Sequence, residues 1–257
     1  MSEIDSLDTT IDAVLGGRLR IRQPRRGHRI GHDAILLAAV TGGSYGQQAV
    51  EFGAGVGAAG LAVASRCPGL RVTLVEIDPV LSALAKENAR LNRFDERFKV
   101  VTHDVTLPTL FAADNVMGGS ADRVLMNPPF NDAERHNVSP DPSRALAHAA
   151  PSDTLSRWIG TAASALNARG VLTMIWRADA LAGVLGALRH EFGDVAVLPV
   201  HPRPGAPAIR VLIRAVKGQQ APLALLPGLI LNDENGRPSA AAEAVLREGK
   251  PLPLASF

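Results

Sequence analysis

Residues 48–60, QAVEFGAGVGAAG, contain the change of local structure that decides the fold. They start as a short apolar strand over residues 49–52, turn sharply at the glycines, and continue as a small-residue helix over residues 61–65. Glycine lets the backbone turn tightly and approach a ligand closely, and the start of a helix favours negative groups. The stretch therefore predicts the first strand–turn–helix unit of a ligand-binding α/β domain.

The alternation of strands and helices continues to about residue 217, which is typical of an α/β domain with a largely parallel sheet. Further strands are predicted at residues 71–75, 98–102, 121–126, 171–176, 195–200 and 209–215. The last two are joined by too few residues for a crossover helix, so we expect them to pair antiparallel. The helix that begins near Ser152 is expected to end at Gly170. The predicted fold is Rossmann-like α/β: a seven-stranded, mostly parallel sheet with an antiparallel seventh strand and helices on both faces.

The segment before this domain has the pattern of a β-hairpin rich in arginine. Gly16 and Gly17 are a turn signal, and strict alternation follows over residues 18–22. Six arginines occur here without an acid among them, and they are Arg18, Arg20, Arg22, Arg25, Arg26 and Arg29. Because arginine binds phosphate bidentately and stacks on bases, the pattern favours a nucleic-acid partner that these six residues would bind. The alternative is a solvated strand face.

Three parts are expected along the chain: a basic hairpin flap over residues 1–30, a main domain over 31–218, and a C-terminal strand and short helix over 219–257 packed on that domain. A chain of 257 residues with 46% hydrophobic content can bury one large core. The single cysteine, Cys67, excludes an internal disulfide framework and offers no thiolate cluster for a metal. The sequence shows neither a signal peptide nor an apolar run of membrane-spanning length, so we expect a cytoplasmic protein without bound metal.

Residues 121–130, ADRVLMNPPF, predict a buried strand that ends in a rigid corner. Two successive prolines, Pro128 and Pro129, end the ladder of backbone hydrogen bonds and fix the local φ angles. The side-chain oxygen of Asn127 and the carbonyl of Pro128 could accept both hydrogens of an NH2 group, and Phe130 could stack on its ring. These four residues are the candidate catalytic group. The alternative is that Asn-Pro simply initiates a turn after a strand.

The glycine turn by itself leaves two cofactors open. Residues 55–60 satisfy the pattern G-x-G-x-x-G, and Glu76 lies 21 residues after Gly55, where a carboxylate can reach ribose hydroxyls. That combination fits a dinucleotide such as NAD. Glu51, immediately ahead of the glycines, would repel a pyrophosphate but suits the cationic amino-acid end of S-adenosylmethionine. Together with the Asn-Pro-Pro-Phe corner, this acid favours S-adenosylmethionine.

The order of these features resembles that of class I S-adenosylmethionine-dependent methyltransferases. Over nearly its full length the chain resembles the bacterial tRNA1(Val) adenine methyltransferase family, which methylates the exocyclic amine of an adenine beside the anticodon. The segments that carry the resemblance are GGRLRIRQPRRGHRIGHDAILLAA, EFGAGVGAAGLAVA with VEIDP, NPPF, and HPRPGAPAIRVLIRAVKG. The resemblance implies a Rossmann-like class I methyltransferase fold, S-adenosylmethionine as cofactor and tRNA as partner.

The resemblance also implies roles for particular residues. The expected cofactor-binding positions are Glu51, Gly53, Ala54, Gly55, Gly57, Glu76, Ile77, Asp104, Val105 and Asn127. In this set Glu51 and the glycines would line the methionine end, Glu76 would hold the ribose, and Asp104 would lie near the adenine. The corner over residues 127–130 would hold a flipped or single-stranded base, and the polar connection over residues 131–151 would grip the substrate.

Several alternative functions remain open on the sequence. The same corner could hold a protein glutamine amide or a guanine amine, because both present NH2 on a planar group. The arginine-rich hairpin favours RNA over protein. The glycine turn could instead bind NAD for hydride transfer, and the chain could be a non-catalytic RNA-binding module.

Overall fold

The computed structural model describes residues 8–27, 29–112, 116–129 and 151–256, with backbone only for residues 151–153 and 256. The helices of this part are α1 His32–Val40, α2 Ala58–Arg66, α3 Pro79–Leu91, α4 Pro151–Ala165, α5 Leu181–Leu188 and α6 Ala240–Leu246. The strands are β1 Thr9–Val14, β2 Leu19–Pro24, β3 Gln48–Phe52, β4 Arg71–Glu76, β5 Phe98–Thr102, β6 Ala121–Met126, β7 Leu166–Arg177, β8 Phe192–His201, β9 Arg210–Lys217, β10 Ala224–Leu225 and β11 Leu229–Ile230.

The main sheet has the strand order β10-β8-β9-β7-β6-β3-β4-β5, and β11 also pairs with β8. From β3 the chain first adds β4 and β5 on one side, and then β6 and β7 on the other side, all in parallel. The strand order thus reverses between β3 and β6. In open α/β sheets ligands bind at the carboxyl ends of the strands at such a reversal.

The antiparallel pairing predicted for the last two long strands is confirmed. Strand β9 lies between β7 and β8 and runs antiparallel to both. The expected seven strands therefore form the sheet from β8 to β5, and the structure adds the two short strands β10 and β11 at its edge. Strand β11 corresponds to the strand expected in the C-terminal segment. Strand β10 was not predicted, because a two-residue strand gives no clear sequence signal.

Helices cover both faces of the sheet, as expected. Helices α1, α2 and α3 share one hydrophobic core with the hairpin and with α6, whereas α4 and α5 form the core on the opposite face. The hairpin contributes Leu19 and Ile21 to the first core, and α6 contributes Val245. Both flanking segments are thus packed on the domain between them.

The expected end of α4 at Gly170 is wrong. The helix ends at Ala165, and Gly170 lies inside β7. A Cβ atom at Gly170 would lie 2.8 Å from the Leu166 side chain and 3.1 Å from the Ala121 carbonyl oxygen. The glycine is therefore required by close packing of β7 against β6, and tertiary pairing has overridden the helix-stop signal.

Among the described residues, no helix is both long and apolar enough to cross a membrane. The same part of the chain has no group of three or more His, Cys, Asp or Glu side chains arranged to hold a metal ion.

Candidate active site

A cavity of about 330 Å³ lies at the carboxyl ends of β3 and β6, where the strand order reverses. One wall is the glycine turn after β3, a second is the start of α1, and Asn127 after β6 closes the third side. Of the residues expected to bind cofactor, the cavity brings together Glu51, Gly53, Ala54, Gly55 and Asn127. The glycine turn and the Asn-Pro-Pro corner, 72 residues apart at Gly55 and Asn127, therefore face one space.

The glycine turn requires its glycines for two separate reasons. Gly53, Gly55 and Gly57 have φ angles of +64°, +54° and +84°, a region that side chains with a Cβ atom rarely adopt. A Cβ at Gly53 would also lie 2.7 Å from the ring of Trp158, which packs edge-on against Phe52. The turn is therefore pressed against the core on one side and open to the cavity on the other.

Glu76 holds the glycine turn in place. One of its carboxylate oxygens accepts a 2.6 Å hydrogen bond from the Gly55 backbone N–H, and the other accepts a 2.9 Å bond from that of Asp78. A carboxylate has about four acceptor positions, so two remain beyond these two bonds. The next residue, Ile77, is 60% exposed, which leaves an apolar surface beside this acid.

Glu51 is buried and carries an unusual charge state. Its Oε2 accepts a 2.7 Å hydrogen bond from the Gly60 backbone N–H at the start of α2. Burial raises the pKa of the Glu51 carboxyl to about 8; the Gly60 bond opposes this rise, and the charge of Glu76 adds to it. The neutral form of the carboxyl is therefore favoured at neutral pH, and a cation beside it would favour the ionised form.

Asn127 presents an acceptor that is still unused. Its side-chain oxygen is inaccessible to solvent and has no hydrogen-bond partner among the described residues. A buried polar atom without a partner costs about 1–3 kcal/mol, so such atoms are uncommon outside functional sites. Pro128 is buried and Pro129 is exposed. Phe130 and the connection over residues 131–150 lie outside the described residues.

Asp104 and Val105 follow β5 along the same edge of the sheet, outside the cavity. Asp104 Oδ1 accepts hydrogen bonds from the Thr106 backbone N–H and hydroxyl, each 2.8 Å long. Val105 is buried. Together with Glu76 and Ile77 after β4, they extend the candidate surface beyond the cavity along the ends of β4 and β5.

Most of the hairpin arginines are already engaged within the protein. Ion pairs join Arg22 to Glu87, Arg25 to Asp8 and Arg29 to Asp12, each at 2.7 Å. Arg18 donates to the Glu248 carbonyl oxygen. Arg20 and Arg26 are exposed, and their side chains have no partner among the described residues.

Arg29 is the one hairpin arginine that lines the cavity. The sequence pattern did not show the acids that face these arginines, because those acids belong to β1, its flank and α3.

The start of α1 is the part of the site that sequence reasoning missed. Besides Arg29, which was predicted to bind substrate, the cavity is lined there by Ile30, Gly31, His32, Asp33, Ala34 and Leu37. Asp33 is anchored by a 3.0 Å ion pair with Arg210 at the start of β9. A second cleft of about 620 Å³, between the hairpin turn and α6, shares Ile30, Gly31 and His32 with the cavity. The local sequence indicates only the start of a helix. The position of this helix start beside the glycine turn is set by tertiary packing.

Comparison with known proteins identifies the family of the chain. The Methyltransferase small domain family matches residues 32–202, more than half of the chain. A tRNA1(Val) (adenine(37)-N6)-methyltransferase of Porphyromonas gingivalis is 31% identical over 169 residues, 64% of each chain. A release factor glutamine methyltransferase of Chlorobaculum tepidum is 32% identical over 155 residues, 58% of this chain and 52% of the relative.

Among solved structures, an Agrobacterium tumefaciens protein described as a predicted O-methyltransferase superposes with a TM-score of 0.72 at 28% identity, covering 86% of this chain and 98% of that one. This likeness confirms the expected Rossmann-like methyltransferase fold. The chain spans 64% or less of the length of the two curated relatives named above. The match over residues 32–202 shows that the chain belongs to the Methyltransferase small domain family.

Proposed function

We propose that this protein is an S-adenosylmethionine-dependent methyltransferase that acts on the exocyclic amine of adenine in tRNA. The observation that carries the proposal is the shared cavity. Asn127 lines the same cavity as the glycine turn and Glu51, and its side-chain oxygen has no hydrogen-bond partner among the described residues. This combination supports an acceptor for an N–H group beside a methionine subsite.

The residues present fit the cofactor. Glu51 can ionise beside the cationic amino group of the methionine part, and the glycine turn lets the ligand approach the backbone closely. Glu76 has acceptor positions left for ribose hydroxyls, and exposed Ile77 offers an apolar face to a purine. When bound, S-adenosylmethionine supplies a sulfonium methyl group to a nucleophile held in line with it.

The corner after β6 would orient that nucleophile. Asn127 Oδ1 and the Pro128 carbonyl would accept the two N–H bonds of the amine, which favours a more tetrahedral nitrogen and stabilises the positive charge that develops on it. The two prolines keep these acceptors on stiff backbone. Phe130 remains the predicted stacking residue for the base.

The substrate class rests on charge and on the named relatives. The P. gingivalis relative is named for adenine in tRNA, and the exposed Arg20 and Arg26 offer cations to an RNA backbone. An RNA substrate is also consistent with the predicted cytoplasmic location. The second candidate substrate is a protein glutamine amide, because the C. tepidum relative is named for it and an amide NH2 fits the same two acceptors.

Methyl transfer from labelled S-adenosylmethionine distinguishes these possibilities. We expect incorporation into adenine of unmodified bacterial tRNA, none into release factor, and thermal stabilisation by S-adenosylhomocysteine but not by NAD. Label in glutamine would favour the second candidate. Stabilisation by NAD alone would overturn the assignment, and RNA binding without incorporation would indicate a non-catalytic module.

A further inference from the structure

Two asparagines at the carboxyl end of α3 attach the hairpin to the domain in the same way. Asn88 lies in the last turn of α3, and Asn92 is the residue that caps the end of the helix, four positions later. The Arg22 N–H donates to Asn88 Oδ1 at 2.7 Å and the Arg20 N–H donates to Asn92 Oδ1 at 2.9 Å. In return each asparagine Nδ2 donates to the carbonyl of the same arginine, at 2.8 Å in both cases. The two side-chain amides thus pair with the backbone of β2 as a neighbouring strand would.

The two side-chain amides also donate a hydrogen bond to a second acceptor, and this acceptor differs between them. Asn92 Nδ2 donates at 2.8 Å to the Asn88 carbonyl in the last turn of α3. Asn88 Nδ2 donates at 3.0 Å to the carbonyl oxygen of Val56, which lies between Gly55 and Gly57 in the glycine turn. Asn88 is fully buried, and both its donors and its acceptor are used.

The Val56 bond complements the bond from Glu76. Glu76 accepts from the Gly55 N–H, in the peptide group that joins Ala54 to Gly55, and Asn88 donates to the Val56 carbonyl, in the peptide group that joins Val56 to Gly57. Two peptide groups of the turn are thus held by two different elements. Both Gly55 and Val56 line the cavity. The peptide group after Val56 leads into Gly57, whose φ of +84° precedes α2.

From this geometry we infer that Asn88 is a positioning residue for the cofactor-binding turn and joins it to the hairpin, whereas Asn92 secures the hairpin alone. The inference rests on the proposed role of the glycine turn in binding cofactor. A freed Val56 peptide would let the turn populate other conformations, and the affinity for cofactor falls by the fraction of turns that are no longer competent.

The matched variants Asn88→Ala and Asn92→Ala test the inference, with binding of S-adenosylhomocysteine measured by calorimetry on the full chain. We expect Asn88→Ala to raise Kd by about tenfold and Asn92→Ala to change it by less than about twofold. Asn88→Ser keeps one hydrogen-bond donor on a smaller side chain, so its Kd should lie between those of the two alanine variants. An equal effect of the two alanine variants, or no effect of either, overturns the inference.

Hydrogen exchange gives a second readout that needs no ligand. Asn92→Ala should speed amide exchange in residues 19–24 only, and Asn88→Ala should speed it in residues 19–24 and in 53–60. If Asn88→Ala does not fold, the same comparison is made with Asn88→Ser. Unchanged exchange in 53–60 for a folded Asn88 variant contradicts the inference. If the unaltered protein does not bind S-adenosylhomocysteine, the proposed function fails instead, and the exchange result still decides the role of Asn88.

Discussion

The two walls of the cavity differ in how completely their hydrogen bonds are satisfied. In the glycine turn, Gly55 N–H, Val56 carbonyl and the Gly60 N–H all have partners, from Glu76, Asn88 and Glu51. Across the cavity, the side-chain oxygen of Asn127 has none among the described residues. On the proposed function, this difference means that the turn is shaped before a ligand arrives, and that the end of β6 would keep an acceptor for the reacting group.

Removing the open acceptor should have the largest effect. We expect Asn127→Ala to lower kcat about 10²–10³-fold, the range for losing one preorganised hydrogen-bonding group at a reacting atom. S-adenosylhomocysteine affinity should stay within about twofold. Single-turnover methyl transfer and calorimetry measure the two quantities. Turnover that survives unchanged would remove Asn127 from the reaction.

Deforming the glycine turn should weaken cofactor binding and not only turnover. Gly53→Ala places a Cβ at 2.7 Å from Trp158 at a φ of +64°, so cofactor affinity should fall by more than about tenfold. Gly17→Ala is the matched control, because its φ is +90° but nothing lies within 4 Å of the added Cβ. It should destabilise the fold by about 1 kcal/mol and leave affinity unchanged. Equal losses of affinity in both variants would show that the effect is general strain.

The protonated carboxyl of Glu51 should make stability depend on pH. The pKa is 4.5 in the reference state and about 8 in the fold. Between these values the unfolded chain has lost the proton and the native state still holds it, so stability falls as pH rises, by at most about 1.4 kcal/mol per unit. Glu51→Gln should show a smaller fall in Tm from about pH 5 to about pH 8 than the unaltered protein. Parallel curves for the two proteins would contradict the burial of an ionisable group here.

Substitutions of the hairpin arginines should have the smallest effects. The size of each effect should depend on whether the arginine is already paired within the protein. Arg20→Ala, whose side chain has no partner in the described part, should weaken tRNA binding and reduce the salt dependence by about one phosphate contact. Arg25→Ala should weaken tRNA binding less, because Arg25 is already paired with Asp8. Fluorescence anisotropy at several salt concentrations measures both. A larger loss with Arg25→Ala would reverse the proposed division.

Local sequence signals predicted the parts of the structure that depend on backbone chemistry. The glycine turn and the double-proline corner require particular residues wherever they occur, and the short connection between β8 and β9 dictates antiparallel pairing. Contacts between distant segments were not predictable in this way. The start of α1 in the cavity, Glu87 opposite Arg22 and Gly170 inside β7 are set by packing, and no local pattern encodes them.

A structure of the protein with S-adenosylhomocysteine and adenosine tests most directly whether amine and methyl donor meet between the two walls. The account predicts the exocyclic nitrogen within about 3 Å of Asn127 Oδ1, on the side that faces the sulfur of the ligand above the glycine turn. A nucleoside seated away from Asn127, or a sulfur on the other side of the sheet edge, would contradict it.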